Sequence, residues 1–247
     1  MPQSSARFET SYRVRFDEAG ANGLLPASGL LRYAQDVAWQ HSEKAGFDRA
    51  WYAERGLTWL VRSAQLELLA PIQHGAELRI STEIVGFRRV WARRLSEACA
   101  NDGGPAAARL LIDWVILGPR GAPVRVPREI TDRLPEIPSL SPLRVVLDGP
   151  DREARRAELA VQRRDLDPMV HVNNAAYVDY FDDAVAAAGG IAELDRFPHR
   201  YVVEYLASAE GGARLTSLTW RSTNDGWACR LSDADAVGRE LFRGRLD

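Results

Sequence analysis

The chain has 247 residues, of which 46% are apolar and 27% charged, as is typical of a folded globular protein. A formal net charge of −2 argues against general nucleic-acid binding, and no apolar run is long enough to span a membrane. Cys99 and Cys229 do not suggest a disulfide framework, so a reducing cytoplasm is the expected location.

The first half of the chain is predicted to contain one strand, one long helix and four more strands. Polar and apolar residues alternate over 8–16, which predicts the first strand. A helix is predicted to open at residues 26–28, with Ser28 as its N-cap, and to end at Gly46. The later strands are predicted over 58–69, 76–86, 90–100 and 106–117.

The second half repeats this order after a linker. Residues 135–155 contain several prolines and no clear period, which predicts a linker between an N-terminal unit, 1–134, and a C-terminal unit, 156–247. In the second unit a strand is predicted over 157–163 and a helix over 174–188. Four further strands are predicted over 199–207, 213–222, 226–234 and 238–246.

Short stretches of the two halves also match in sequence, in the same order. The matched pairs are 91–96 with 227–232, 66–70 with 203–207, and 30–33 with 177–180. Such self-similarity indicates a duplicated fold unit. The predicted class is therefore α+β, with two tandem units that each place a long central helix on a curved antiparallel sheet, the layout of a double hotdog.

Only the second copy carries a set of polar residues suited to catalysis. The repeat places Asp167, His171 and Asn173 opposite three residues without such groups, which are Gly20, Leu24 and Pro26. One working site per chain is therefore expected, in the second unit, while the first unit would be scaffold and pocket wall.

The segment 163–177, RRDLDPMVHVNNAAY, resembles a known motif. Asp-Pro followed by His-Val-Asn-Asn-x-x-Tyr is similar to the motif of the 4-hydroxybenzoyl-CoA type of hotdog thioesterase. The first-copy helix with Tyr33 to His41, and the run from Thr58 to Arg62, resemble the plant and bacterial acyl-ACP thioesterases over nearly the whole chain. The resemblance implies hydrolysis of an acyl thioester on acyl carrier protein, with release of the free acid and no cofactor.

The resemblance also implies roles for individual residues. Asp167 and His171 match the catalytic acid and histidine of the family, and Asn173 and Asn174 match the amides that support the site or the oxyanion. The chain departs from the family at Met169, where an Asn is usual, and it has Ser208 and Ala209 where a Glu-Cys pair is usual. Two further candidates for the supporting role are Ser208 and Glu210, which lies two residues further on.

The same residues make chemical sense on their own. Asp167 is predicted to act as a general base or a direct nucleophile, with His171 orienting it or the attacking water. The N-terminus of the following helix points N–H groups toward an entering carbonyl. Tyr177 and Trp59 are candidates for substrate binding. No convincing spacing for a metal ligand set is present.

Candidate partners follow from charge. Arg88 and Arg89 are predicted to receive an acidic acyl carrier protein or the phosphates of CoA. Neither a nucleic acid nor a membrane is expected as partner, and a homodimer is left open. The alternatives are an acyl-CoA or polyketide-type thioesterase, a hotdog dehydratase, and a non-catalytic protein that binds acyl thioesters. In the last case Asp167 and His171 would only cap a helix.

Overall fold

The structure is a computed structural model of the chain. The residues it describes are 7–100, 103–132, 141–150, 153–223 and 225–247. Two compact units divide at residues 142 and 143. Of the linker predicted over 135–155, residues 135–140 and 151–152 lie outside the described residues, and 141–150 contains neither helix nor strand.

In its described residues, unit 1 combines a five-stranded antiparallel sheet with one long and two short helices. The strands are β1 (Arg7–Arg13), β2 (Thr58–Leu68), β3 (Glu77–Arg88), β4 (Trp91–Ala100) and β5 (Ala106–Leu117). The helices are α1 (Ala27–Lys44), α2 (Arg49–Glu54) and α3 (Arg128–Thr131). The strand order is β1-β3-β4-β5-β2, and α1 packs on the sheet, mainly against β3.

Helix α1 forms because its apolar residues recur every three or four positions. Leu30, Leu31, Ala34, Val37 and Ala38 are buried on that face. The helix ends where Gly46 takes a φ of +87°, a conformation that a glycine adopts at little cost.

The predicted N-cap of α1 is wrong. Pro26 occupies the N-cap position, while Ser28 lies inside the first turn and is buried. The hydroxyl of Ser28 accepts a hydrogen bond from Arg32 instead (3.1 Å). Proline suits this place because its fixed φ agrees with the start of a helix and it has no N–H to satisfy.

Unit 2 has the same plan. Its described strands are β6 (Arg155–Ala160), β7 (His199–Tyr205), β8 (Arg214–Arg221), β9 (Trp227–Asp233) and β10 (Glu240–Leu246). Its described helices are α4 (Asn174–Ala187) and α5 (Ile191–Leu194). The strand order β6-β8-β9-β10-β7 repeats that of unit 1 position by position, and α4 packs against β8 and β9. The predicted duplication and double hotdog fold are confirmed, whereas α2, α3 and α5 were not predicted.

The duplication extends to single hydrogen bonds in the loop before each long helix. The Tyr33 hydroxyl donates to Glu18 at 2.6 Å, and the Tyr180 hydroxyl donates to Asp165 at the same distance. Each acid also accepts from a backbone N–H three residues before it. The two loops are therefore held to their helices in the same way.

Aromatic side chains fill the core of unit 2. The rings of Tyr177, Phe181, Tyr201 and Phe242 are buried and contact one another. Gly244 leaves room for them, since a Cβ there would lie 2.8 Å from the ring of Phe181. No helix in the described ranges combines the length and the apolar character needed to cross a membrane.

Candidate active site

Asp167 and His171 lie at the two ends of one tight turn that precedes α4. The N–H of Asp167 donates to the carbonyl of His171, and the N–H of Val170 donates to the carbonyl of Asp167, both at 2.9 Å. Val170 takes a φ of +64° within this turn, a conformation that is strained for a β-branched residue. The acid and the histidine are thus brought together by the backbone.

The two oxygens of the Asp167 carboxylate have different surroundings. Oδ1 accepts from the backbone N–H of Met169 at 2.8 Å and, more weakly, from that of His171 at 3.4 Å. Oδ2 makes no hydrogen bond to any described residue. Because the side chain is only half-buried, Oδ2 is left to accept a proton from water or to attack a carbonyl carbon.

Glu210 lies directly across from His171. The two residues form an antiparallel bridge, and the N–H of Val172 donates to the carbonyl of Ala209 at 3.0 Å. Opposed residues in such a bridge have Cβ atoms about 5 Å apart on the same face. The structure therefore places Glu210 opposite the histidine. Ser208 and Glu210 are both exposed, and the carbonyl of Ser208 accepts from Arg239 (3.3 Å).

Asn173 is the N-cap of α4. Its side-chain oxygen accepts from the N–H of Ala175, and its carbonyl accepts from the N–H of Ala176, both at 2.9 Å. Those two N–H groups are occupied and do not serve an oxyanion in this arrangement. Asn174 is the first helical residue, and the supporting or oxyanion roles of Asn173 and Asn174 both stay predictions.

Tyr177 links the candidate site to the core of unit 2. Its ring is 2% exposed and stacks on Phe242, with ring centroids 5.6 Å apart. Burial raises the pKa of Tyr177 to about 12, and its hydroxyl accepts from the N–H of Ala209 at 2.9 Å. This hydrogen bond holds Ala209, the residue before Glu210 in the chain. Direct substrate contact by Tyr177 stays a prediction.

Trp59 lies in unit 1, in the wall of a cavity of about 70 Å³. Its indole N–H donates to the hydroxyl of Tyr52 at 3.1 Å. The wall is largely aromatic and includes Trp39, Phe47 and Trp114. Its polar residues include Gln35, His41, Ser42 and Arg94.

Four arginines lie within three residues of Trp91 in the chain, at positions 88, 89, 93 and 94, and they form two pairs with different surroundings. Arg88 and Arg89 are exposed in the hairpin between β3 and β4, as predicted for a docking surface. Arg93 points inward and forms two hydrogen bonds with Asp113, at 2.6 and 2.9 Å. Arg94 turns into the cavity of unit 1.

Asp182, an acid on α4, lies partly buried against the core of unit 2. Asp182 accepts a hydrogen bond from the buried Tyr201 at 2.9 Å, and burial raises the pKa of Asp182 to about 8. Within the described residues, no three His, Cys, Asp or Glu side chains cluster closely enough to hold a metal ion.

A turn before the helix of the second hotdog unit, carrying an acid and a histidine, is the arrangement expected of a hotdog thioesterase. Comparison with family models agrees with that class. The N-terminal domain of acyl-ACP thioesterases matches residues 5–134, and their C-terminal domain matches residues 149–246. The chain belongs to the acyl-ACP thioesterase family and is a thioester hydrolase.

Individual relatives are distant in sequence but similar in fold. An acyl-ACP thioesterase from Bacteroides thetaiotaomicron is 17% identical with a TM-score of 0.82, covering 100% of this chain and 99% of that one. A 12:0-ACP thioesterase from Umbellularia californica is 19% identical with a TM-score of 0.80, covering 98% and 97%. A chloroplastic acyl-[acyl-carrier-protein] hydrolase of Cuphea viscosissima is 25% identical over 72% of this chain and 47% of its own.

Proposed function

We propose that this chain hydrolyses an acyl thioester carried on acyl carrier protein and that unit 2 supplies its single reaction centre. The observation that supports this proposal is the state of Asp167. One of its carboxylate oxygens is held by the turn, and the other has no hydrogen bond to a described residue. His171, at the other end of the same turn, lies opposite Glu210.

In the proposed reaction, water attacks the carbonyl carbon of the thioester while Asp167 takes its proton. The C–S bond then breaks, and the proton is delivered to the thiolate sulfur. His171 orients the water or Asp167, and Glu210 steadies the imidazole from the neighbouring segment. Asn174 and the positive end of α4 stabilise the oxyanion that develops on the carbonyl oxygen.

The preference for a protein carrier is supported by a cluster of exposed arginines in unit 1. The carbonyl of Arg89 accepts from the N–H of Val126 at 2.7 Å, which holds the segment with Arg125 and Arg128 beside the hairpin with Arg88. All four of these arginines are exposed. An acidic carrier protein is attracted by such a surface, and the attraction acts mainly on the rate of association.

The test is a thiol-release assay with a panel of acyl-ACP and acyl-CoA substrates, combined with titration by a tight, non-hydrolysable thioester analogue. We expect thiol release, a lower KM for carrier-bound substrates, and one equivalent of analogue per chain. Faster turnover of CoA esters would favour the acyl-CoA alternative. Binding without thiol release would favour the non-catalytic alternative, and two equivalents per chain would contradict the single centre.

Two further expectations stay predictions. A homodimer would be detected by the molar mass in solution. A cytoplasmic location would be detected by fractionation of the source cells.

A further inference from the structure

Both backbone polar groups of Ala209 are used, and they hold this residue to two different segments of unit 2. Its carbonyl accepts from the N–H of Val172 at 3.0 Å, and its N–H donates to the hydroxyl of Tyr177 at 2.9 Å. Ala209 precedes Glu210, so the two bonds lie beside the bridge that places this acid opposite His171. Ala209 is buried, and a buried N–H without a partner would be costly.

Unit 1 forms the same bridge without the second of these bonds. The N–H of Leu25 donates to the carbonyl of Ile72 at 2.8 Å, which repeats the bond to the carbonyl of Ala209. The N–H of Ile72, however, makes no hydrogen bond to a described residue. The repeat register puts Leu30 where unit 2 has Tyr177, and a leucine brings no hydroxyl. The bridge therefore forms without a tyrosine, and of the two units it is the one with the acid and the histidine that has the hydroxyl.

The ring of Tyr177 gives that hydroxyl a fixed support. The ring stacks on Phe242 and contacts Tyr205 edge-on, with centroids 5.6 and 5.9 Å away. A buried hydroxyl costs free energy relative to the leucine of unit 1 unless it is hydrogen-bonded. The bond to Ala209 offsets that cost, and the close packing around the ring leaves the hydroxyl little freedom to move.

Other contacts hold this segment less firmly. The carbonyl of Ser208 accepts from Arg239 at 3.3 Å, and both residues are exposed. The N–H of Gly212 donates to the carbonyl of Val161 at 3.2 Å, two residues beyond Glu210. The hydroxyl of Tyr177 is therefore the rigid anchor of the segment that carries the acid.

We propose that Tyr177 is a positioning residue for the reaction centre: its hydroxyl holds Ala209 so that Glu210 stays opposite His171. This inference rests on the proposed thioester hydrolysis, in which Glu210 steadies the imidazole. Tyr177 acts through Glu210 and needs no contact with the substrate. Loss of the hydroxyl therefore lowers kcat and leaves KM unchanged.

The kinetic test is a double-mutant cycle in a thiol-release assay with an acyl-ACP. Tyr177→Phe removes one oxygen and keeps the ring on Phe242. We expect kcat to fall about tenfold, less than the hundredfold or more expected for loss of a general base, with KM unchanged. The double variant with Glu210→Gln should be no slower than Glu210→Gln alone, because the two residues act as one unit. Effects that multiply, or an unchanged kcat, would overturn the proposal. So would a raised KM at full kcat, which would indicate direct substrate contact by Tyr177.

The matched control is Tyr201→Phe. Tyr201 is equally buried in the same core, and its hydroxyl donates to Asp182 at 2.9 Å. The substitution removes the same atom from the core, so we expect a comparable fall in melting temperature with kcat unchanged. If Tyr201→Phe lowers kcat as much as Tyr177→Phe does, loosening of the core explains the loss and the proposal is wrong.

Amide hydrogen exchange, measured by NMR, tests the hold on Ala209 without any thioester. Its N–H should exchange about tenfold faster in Tyr177→Phe than in the wild-type chain, while that of Val203, inside β7, should not change. Unchanged exchange at Ala209 in the folded variant would overturn the proposal. Faster exchange in a chain that releases no thiol would support the hold of Tyr177 on this segment and contradict the proposed function alone.

Discussion

The turn at 20–24 in unit 1 and the turn at 167–171 in unit 2 share a backbone and differ in side chains. In both, the first N–H donates to the last carbonyl at 2.9 Å, and a residue of positive φ comes fourth, Gly23 in one and Val170 in the other. Only the second turn carries an acid and a histidine. The backbone of this turn therefore occurs in both units, whereas the side chains that the proposed chemistry requires occur in unit 2 alone.

The strand partners of the two turns differ in the same way. Gln73 lies opposite Leu24 in unit 1, and Glu210 lies opposite His171 in unit 2. In place of these groups, unit 1 has a cavity beneath its longer helix, with the charge of Arg94 inside. We therefore propose that only unit 2 became a reaction centre after the duplication. The following predictions test that division.

The largest effect is expected at Asp167. Asp167→Asn keeps Oδ1 as acceptor for the N–H of Met169, so the turn should remain folded, but it removes the base. We expect kcat to fall by about a hundredfold or more in a thiol-release assay. The control is Asp165→Asn, which changes the acid that receives the Tyr180 hydroxyl and should affect the melting temperature more than kcat. A folded, fully active Asp167→Asn chain would exclude Asp167 from catalysis.

The second-largest effect is expected at Glu210 and His171, which lie opposite each other. Glu210→Gln makes unit 2 resemble unit 1 at this bridge, where Gln73 stands. If Glu210 steadies His171, we expect kcat to fall about tenfold, less than the hundredfold or more expected for loss of a general base, with KM unchanged. His171→Ala should have at least as large an effect. The matched control, Gln73→Glu in unit 1, should leave kcat unaltered, and a loss there would contradict the single centre.

A smaller effect is expected at the docking surface of unit 1. Reversing Arg88 and Arg89 to Glu should raise KM for an acyl-ACP about fivefold at low salt, with little change in kcat, since rim charges act on association. The difference should fade as ionic strength rises. Reversal of Arg13, which is exposed on β1, and of Arg79, which is half-buried on β3, serves as control. Equal KM changes for carrier-bound and small thioesters would move the docking surface elsewhere.

The smallest effect concerns stability. Asp182 on α4 holds the place that the neutral Gln35 holds on α1, and its pKa is raised by burial to about 8. Between its usual pKa and pH 8 the folded chain binds one proton more than the unfolded chain, so the free energy of unfolding falls as pH rises through that window. Asp182→Asn should remove part of this fall. Because part of the Asp182 side chain reaches the surface, we expect the substitution to reduce this pH-dependent fall in the free energy of unfolding by about 1 kcal/mol.

Urea titrations at pH 5 and pH 8 measure that change. The wild-type chain should lose stability between the two values, and Asp182→Asn should lose less. Glu158→Gln, at an exposed position on β6, is the control and should follow the wild type. If Asp182→Asn shows the same pH dependence as the wild type, the carboxyl group is ionised in the folded chain at neutral pH.

The sequence predicted the sheets well because strand residues alternate with a period of two. The strand predicted over 106–117 coincides with β5, and most others differ by one or two residues at their ends. The short helices α2, α3 and α5 were not predicted, since four to six residues are too few to show a helical period. The predicted strand over 157–163 is shifted because Arg163 starts the short helical turn of 163–165.

The site was only partly predictable. The repeat register placed Asp167 and His171 correctly opposite Gly20 and Leu24, and the shared backbone bonds confirm that equivalence. The position of Glu210 across from His171 depends on a bridge between distant segments, which no local pattern records. The place of Arg94 in a cavity was not predicted, because alternation along one strand does not reveal which side chain enters a cavity. The catalytic roles themselves stay predictions.

The hydroxyl of Tyr177 joins the segment beside Glu210 to the aromatic core of unit 2, where the same ring stacks on Phe242. A residue that positions the reaction centre is therefore part of what keeps unit 2 folded. We therefore expect thermal inactivation and unfolding of unit 2 to occur as one event. Directed evolution of this enzyme for heat tolerance would then gain most from the core around Tyr177, remote from any contact with substrate.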